Sequence, residues 1–550
     1  MAFVNNQACL GEDKAETVIS AGKHEFPQGI IVKKGEALIV NPGAHLKMGK
    51  NTRIIVEGKI IAKGTKDRPI IFSGSDGYWR GIKITGTNSP PDINRYKELF
   101  ERNEFERSDF ISSLRRGNIF LYCEFENLAT ESRQRDKYNR ETGVIEVKNS
   151  SLIVSHSKFN KDILHIGCIL SDESVALISN NHVSSLMIMK AVFARESVII
   201  VHHNSIAPKR YEYQTWPDGI VSDNGMAIIY GNNFDGTGDD AIDCGNSLCF
   251  IANNNINRPF DDGIDIDCGA KAYIVGNNIS QPYDEGIIIS DQSFALLIDN
   301  QINGVKSTNV TSGPLINTAN AALTLRSGGK AYCKNLTITD SDRGIYLKQE
   351  LPLVLNQQEF NSIKQAILDL SEQEISLTAG YSSKQELLKI LDNSYEDYRG
   401  LKILGDPQEG KDKGFIYLIR PLKKIFKLIG HNHIQSKIDL DQLLKIPDEK
   451  IKQKLARYIN FLYLDNSIIS NSAIPLIREK PYYLKIQGVK IGQDNIDLED
   501  DRTHQLSANE LTNFIQTTKA IDGEFGKINK KIGYVEKLIK KMDTHDPQAH

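Results

Sequence analysis

Carboxylates carry the chemistry this chain can do. Three phrases follow one another in its middle: GDDAIDCGN (Gly238–Asn246), FDDGIDIDCG (Phe260–Gly269) and YDEGIIISDQ (Tyr283–Gln292). The doublets Asp239-Asp240, Asp261-Asp262 and Asp284-Glu285 recur at intervals of 22 and 23 residues, and Asn232, Asn254 and Asn277 each stand seven residues before one. A period of that length, with short apolar strands and Gly/Asn turns, marks a stacked coil. Equivalent residues then lie one strand spacing apart, about 4.8 Å. The doublets therefore form a column of carboxylates, which repels itself unless a metal, protons or cationic side chains offset the charge.

Aligning the coils puts Pro217, Asp239, Asp261 and Asp284 in one column and Asp218, Asp240, Asp262 and Glu285 in the next. Two residues past the second column comes an isoleucine in every coil, and after it Val221, Asp243 and Asp265. Side chains alternate across a strand, so if the isoleucines point in, Asp243 and Asp265 point out. Asp240, Asp243, Asp261, Asp262 and Asp265 can then share one outer surface. Hard oxygens clustered this way suit Ca²⁺, which takes roughly six to eight oxygen ligands. The same pattern also has a purely structural reading, because Asp and Gly suit turns and repeated coils repeat their corners.

The elements that must hold these residues are legible around them. From Gly29 the text GIIVKKGEALIVNPGAHLKMGKNTRIIVEGKIIAKGTKDRPIIFSG, then WRGIKITG, alternates Ile/Val strands with Gly, Asn and Pro turns. Strands are expected at 29–32, 37–40, 53–56, 59–62, 70–72 and 81–84. Polar insertions at 88–116 and 129–141 interrupt the rhythm; such excursions from a rigid coil are surface loops or walls of a groove. From Gly143 regular coils resume, and Asn181, Asn204, Asn232, Asn254, Asn277 and Asn300 fall in one column. Stacked amides of this kind satisfy one another and the turn backbone. The expected division is an N-terminal cap over 1–28, a coil over 29–350 and a mainly α-helical C-terminal domain over 356–550.

The helical expectation rests on capping boxes at Ser383/Glu386 and Ser507/Glu510, and on Pro447-Asp448-Glu449 leading into Ile451, Leu455, Tyr458 and Leu462. It rests also on the seam Ile521, Phe525, Ile528, Ile532, Val535, Ile539 and Met542, spaced 4-3-4-3-4-3. Gly523, Gly526 and Gly533 weaken that seam as a free coiled coil, so it is expected to pack on the chain's own body, with docking of a protein partner or a second copy as the alternative. The basic amphipathic stretch 420–433 reads as a surface helix.

The chain has 550 residues, a net charge of −3 and 40% hydrophobic residues. That balance gives no general pull toward nucleic acid, and no apolar run reaches the roughly 20 residues a transmembrane helix needs. The start lacks a basic stretch followed by an apolar one. The compartment stays open: secreted or periplasmic if a signal was removed, otherwise cytoplasmic. The seven cysteines are odd in number and lie mostly in strand-like text, so buried free thiols are expected.

Two kinds of resemblance enter here. From about Gly29 to about Leu347 the rhythm PG…L…G…I.V.G.I.A.GT…PI.F…W.GI resembles right-handed parallel β-helix proteins of the pectate-lyase-like superfamily. That fold hosts lyases, hydrolases, epimerases and non-enzymes. Within it, DDGID (Asp261–Asp265), preceded by DDAID, resembles the calcium-binding motif of the family 9 pectate lyases. This implies Ca²⁺-assisted β-elimination of an acidic polysaccharide, with Asp239 or Asp240 adding a ligand and Lys271 or Lys306 as the nearest lysines to act as base. TWPDG (Thr215–Gly219) followed by GDDAI resembles the polygalacturonases of glycoside hydrolase family 28, implying Asp218, Asp239 and Asp240 as the carboxylates of inverting hydrolysis. The family's Gly-His-Gly and Arg-x-Lys motifs are absent from the expected coils. Arg258, Lys209, Arg210 and Trp216 flank the acidic coils as groups to hold an anionic sugar, and His202-His203 is a weaker lead. The third reading is a non-catalytic scaffold solenoid.

Overall fold

The computed structural model describes residues 16–129, 143–208, 217–306, 321–348, 354–369, 395–404, 460–478, 482–500 and 528–542, with breaks of one to five residues inside them and isolated positions between 384 and 392. The chain winds into a right-handed parallel β-helix. Each coil contributes three short strands, one to each of three parallel files. In one coil these are Ile242–Gly245, Leu248–Ala252 and Asn255–Asn257. The first file is a 13-stranded sheet running from Ile30–Val32 to Ile474–Arg478.

Alternation explains why the coil closes. In register, Ile220, Ile242, Ile264 and Ile287 stack in one inward column, all fully buried. Their neighbours Asp243 and Asp265 pair outward. Burying each isoleucine contributes roughly 1.5–3 kcal/mol. Beside them the asparagine column forms a continuous ladder. Asn254 Oδ1 accepts the backbone N–H of Asn232 at 2.9 Å and its Nδ2–H at 3.0 Å, while Asn254 Nδ2 donates to Ile229 O at 3.1 Å and Asn277 Oδ1 at 2.9 Å. The same pattern links Asn181 to Asn204 and Asn277 to Asn300. The ladder carries backbone groups that turn inward at the corner, where water cannot reach them.

The strands at 37–40, 59–63, 70–74 and 82–85 fall where the sequence places them, within two residues. The cap region is already coil: Glu16–Ile19 pairs with Ala37–Val40, and Gly22–Phe26 with Ala44–Met48.

The coil does not stop at 350. After an excursion it resumes at Asn460–Asp465 and Ile468–Ser470, which pair in parallel with Lys330–Lys334 and Thr337–Thr339. Leu462, expected on a helix face, is a fully buried coil residue. Asn460–Asp465, Ile468–Ser470, Ile474–Arg478 and Tyr482–Ile491 are thus strands where a mainly helical domain was expected, because their apolar residues close the coil end. The stretch 420–433 and both C-terminal capping boxes lie wholly or mostly outside the described residues.

One expected helix is present and packs on the chain itself. Residues 528–542 bury Ile528, Val535, Leu538, Ile539 and Met542 against the outer face of the coil. The insertion at 88–116 forms two helices, α1 (Ile93–Glu101) and α2 (Phe110–Arg116), which join the same cluster through Tyr96, Phe100, Phe110 and Leu114. It therefore covers apolar sheet. The outward residues beneath it, Ile200, Ile228, Phe250 and Tyr273, need that cover. Of the cysteines, 123, 168, 268 and 333 are free and buried, while Cys244 and Cys249 are joined, against the expectation of free thiols throughout. Both face the interior of one coil, which brings them together.

Candidate functional site

The acidic doublets sit at the corner before three successive strands of the 13-stranded sheet, Ile242–Gly245, Ile264–Asp267 and Ile287–Ile289, the second member of each two residues ahead of the inward isoleucine. The corner turns tightly at Gly263, where a Cβ would stand 2.4 Å from the carbonyl oxygen of Gly286. Two columns of carboxylates leave the corner and do different things. In the Asp240/Asp262/Glu285 column the two aspartates cap the next coil: Asp240 Oδ1 accepts the N–H of Asp262 at 3.0 Å, and Asp262 Oδ1 accepts the N–H of Glu285 at 2.9 Å. These aspartates thus also fill the turn-forming role. In the other column Asp239 is hydrogen-bonded through its carboxyl group to Asp218 and Asp261.

Two groups of oxygens come within 4.8 Å of one another: Asp239, Asp240 and Asp261; and Asp261, Asp262 and Asp284. The second group contains a buried atom with no hydrogen-bond partner, Asp284 Oδ1, on a side chain that is 7% exposed. Asp243 and Asp265, expected on one surface with Asp240, Asp261 and Asp262, join neither group. Asp265 lies within electrostatic range of Asp240 and Asp262, but from the strand. Asp243, farther along the sheet, acts on Asp223 instead.

Crowding shows in the proton affinities. Burial, then the neighbouring carboxylates, pushes Asp239 up to about 9 and Asp261 up to about 6. The same causes hold Asp240, Asp262 and Glu285 well above the ordinary carboxylate range. Two cations offset part of this: Lys190 Nζ stands 3.2 Å from Asp218 Oδ2, and Arg326 acts on Asp261 and Glu285. Thr324 Oγ1 donates to Glu285 Oε1 at 3.5 Å. At the far end of the same strands Asp267, Cys268 and Asp291 form a third close group. Asp223, on the outer face of that sheet, is raised to about 7 by burial and Asp243.

The remaining predicted residues fall elsewhere. Lys271 lies on a different file, ion-paired to Glu101 at 2.8 Å. Lys306 is ion-paired to Asp340 at 3.0 Å. Arg258 is an exposed partner of Asp235 at 2.8 Å. Lys209, Arg210 and Trp216 lie outside the described residues. His202 is fully buried, with its Nδ1 at 3.0 Å from His203 Nδ1, and burial lowers it to about 3, so it stays neutral. Sequence reading passed over Lys190. Its pairing with Asp218 is fixed by sheet register, and their separation of 28 positions does not match the period.

Residues 142–302 match the family model described as the right-handed β-helix region. No curated protein matches the chain. Among solved structures, the chain is similar to the periplasmic alginate epimerase AlgG at 13% identity, covering 59% of this chain and 74% of that one, with a TM-score of 0.32. It is similar to the A-module of the Azotobacter vinelandii mannuronan C-5 epimerase AlgE4 at 11% identity, covering 61% and 89%, with a TM-score of 0.30. A DFA-IIIase from Arthrobacter chlorophenolicus A6 in complex with GF2 matches at 11% identity, covering 56% and 83%, with a TM-score of 0.31.

Proposed function

We propose that this protein is a carbohydrate-active enzyme whose site is the carboxylate corner between Asp218 and Glu285, and that the corner binds a divalent cation of the Ca²⁺ type. One observation carries the reading: Asp284 Oδ1 is buried and unpartnered inside a group of three carboxylates whose oxygens lie within 4.8 Å of one another. A buried carboxylate oxygen left without hydrogen or cation is costly. The donor set is all hard oxygen, which fits Ca²⁺. Asp261, Asp262 and Asp284 would hold the ion, with Asp239 and Asp240 adjoining. Asp240 and Asp262 each accept a backbone N–H at Oδ1, and the Asp262 carboxyl also shares a hydrogen bond with Glu285.

When bound there by Asp261, Asp262 and Asp284, the ion would supply the positive charge needed to hold an acidic polysaccharide and to favour loss of the proton beside its carboxylate. The chain's own residues orient and exchange protons. Arg326 and Lys190 mark the cationic edges of the corner, and Asp239 holds a proton at neutral pH that Asp261 largely does not. A carboxyl pair with proton affinities pushed apart can divide acid and base roles. Inverting hydrolysis through Asp218 and Asp239 is disfavoured by geometry. Those carboxyl groups are hydrogen-bonded to each other, whereas an inverting pair stands roughly 6.5–9.5 Å apart to admit water.

The test is calorimetric titration of Ca²⁺ into the protein and into Asp284→Asn, followed by incubation with uronate polymers and assay for unsaturated products. Binding lost in the variant, with product formed only by the wild type, is expected. Absence of Ca²⁺ binding would remove the cation and leave a scaffold solenoid as the better reading.

A further inference from the structure

On the opposite side of the corner turn, between α1 and the coil, lies a cleft of about 440 Å³. Its helix wall carries Lys97, Glu98, Glu101 and Arg102, and its coil wall carries Asn246 and Lys271. Most of the charge there is already matched. Glu101 accepts from Lys271 Nζ at 2.8 Å and from the Tyr273 hydroxyl at 2.6 Å. Glu98 faces Arg102 at 3.9 Å, with both side chains about two-thirds exposed (67% and 68%).

Lys97 is different. It sits one helical turn before Glu101, on the same face of α1. Glu101 is taken by Lys271 and Tyr273, and Lys97 forms no ion pair or hydrogen bond with any described residue. Burial alone acts on its amine, and burial lowers the amine's proton affinity. An ammonium that is partly desolvated and unpaired is costly, and a small anion entering the cleft would relieve that cost. With Lys271 matched by Glu101 and Arg102 facing Glu98, Lys97 leaves the cleft one positive charge in excess. Its volume is in the range of small-molecule sites, which run roughly 300–1,000 Å³.

We infer that this cleft is a binding site for a small molecule bearing an oxyanion, carboxylate or phosphate, with Lys97 as its charge partner. The site is separate from the carboxylate corner and does not depend on the activity proposed there. The coil strand Lys271–Val275 lies under α1, so occupancy would also tie the helical insertion to the coil.

The experiment uses the full chain with its lysines ¹³C-dimethylated, and the Lys97 resonance is assigned by its loss in Lys97→Gln. Inorganic phosphate and sodium glucuronate are titrated separately, which distinguishes the two oxyanions. Saturable binding of at least one is expected, with the Lys97 amine titrating at higher pH when bound. Affinity should fall about tenfold or more in Lys97→Gln, near 1.4 kcal/mol, and should be retained in Lys97→Arg. If neither anion shifts the Lys97 resonance, or if Lys97→Gln binds as tightly as the wild type, the inference is overturned.

Discussion

The N–H of Asp262 donates to Oδ1 of Asp240 one coil earlier, at 3.0 Å, so this acidic side chain is also a structural cap for the next coil. Charge and acceptor can therefore be separated by mutation. Asp240→Asn keeps an oxygen for the bond and removes one of the crowded charges. Asp240→Ala removes both, leaving the buried Asp262 without its cap. In chelator-treated protein at neutral pH, thermal melting of Asp240→Asn is expected to equal or exceed wild type, and Asp240→Ala to lose about 1–3 kcal/mol relative to Asp240→Asn. Equal melting of the two variants would show that the cap contributes nothing.

The raised carboxylates set the sign of the pH dependence. A carboxyl whose folded-state proton affinity exceeds its unfolded value, near 3.9, stabilises the fold below that pH and loses the contribution as pH rises through the folded value. For Asp261 the loss runs up to about 6, and for Asp239 up to about 9. Without divalent cations, melting temperature should therefore decline between about pH 4 and pH 9, the reverse of ordinary acid denaturation. Asp239→Asn should flatten the upper half of that decline, and Ca²⁺ should flatten it too by replacing protons. A melting temperature that rises across this window in chelator would contradict the carboxylate crowding.

The asparagine ladder predicts a large effect from a small change. Asn254→Ala removes the acceptor of the Asn232 N–H and two donors, inside a column only 1% exposed. Each buried group left unsatisfied costs about 1–3 kcal/mol, so roughly 3 kcal/mol or more should be lost in chemical denaturation. The adjacent Asn253→Ala gives up an exposed bond to the Tyr230 hydroxyl at 3.0 Å and places alanine at a φ of 55°, so it should lose about 1–2 kcal/mol, less than Asn254→Ala.

How much of this was legible depends on which signal each residue carries. The ladder was, because the same residue type recurs at the coil period and no other arrangement satisfies a stack of buried amides. The doublet columns were, because the inward isoleucines fix the alignment. Which carboxylate oxygens converge was not, since a corner has no period of two, and Asp284, though aligned in its column, stayed outside the expected ligand set because its coil reads DEGII and lacks the DDxxD phrase of its neighbours. The return of the coil was present in the text NSIISNS, where Ser467 takes the cap position and accepts the N–H of Leu336 at 3.1 Å. The intervening hundred-odd residues hid the period. The cover formed by α1 and α2 was signalled indirectly by unbroken apolar runs such as CFIA and AYIV, which mark strands buried on both faces.

The seam at the end of the chain makes the last prediction. Lys531 is 4% exposed, and its ammonium donates to Phe100 O at 2.8 Å, Glu101 O at 3.3 Å and Asn103 Oδ1 at 3.2 Å, closing the C-terminal end of α1. The charge also lies 4.4 Å from the centre of the Phe100 ring. A cation at a helix C-terminus interacts favourably with the exposed carbonyls and the helix dipole, and here burial strengthens the contact. Lys531→Met keeps most of the apolar stem and abandons the three acceptors, so its cost isolates the polar part. A loss of about 2–4 kcal/mol in docking of the two helical segments is expected, read as faster proteolysis within residues 93–116 while the coil itself stays resistant. Val535→Ala, which only opens space in the same seam, should loosen the helix by about 1–3 kcal/mol without exposing those carbonyls. If Lys531→Met leaves the insertion as protected as wild type, the C-terminal helix is held by its apolar face alone and α1 does not depend on it.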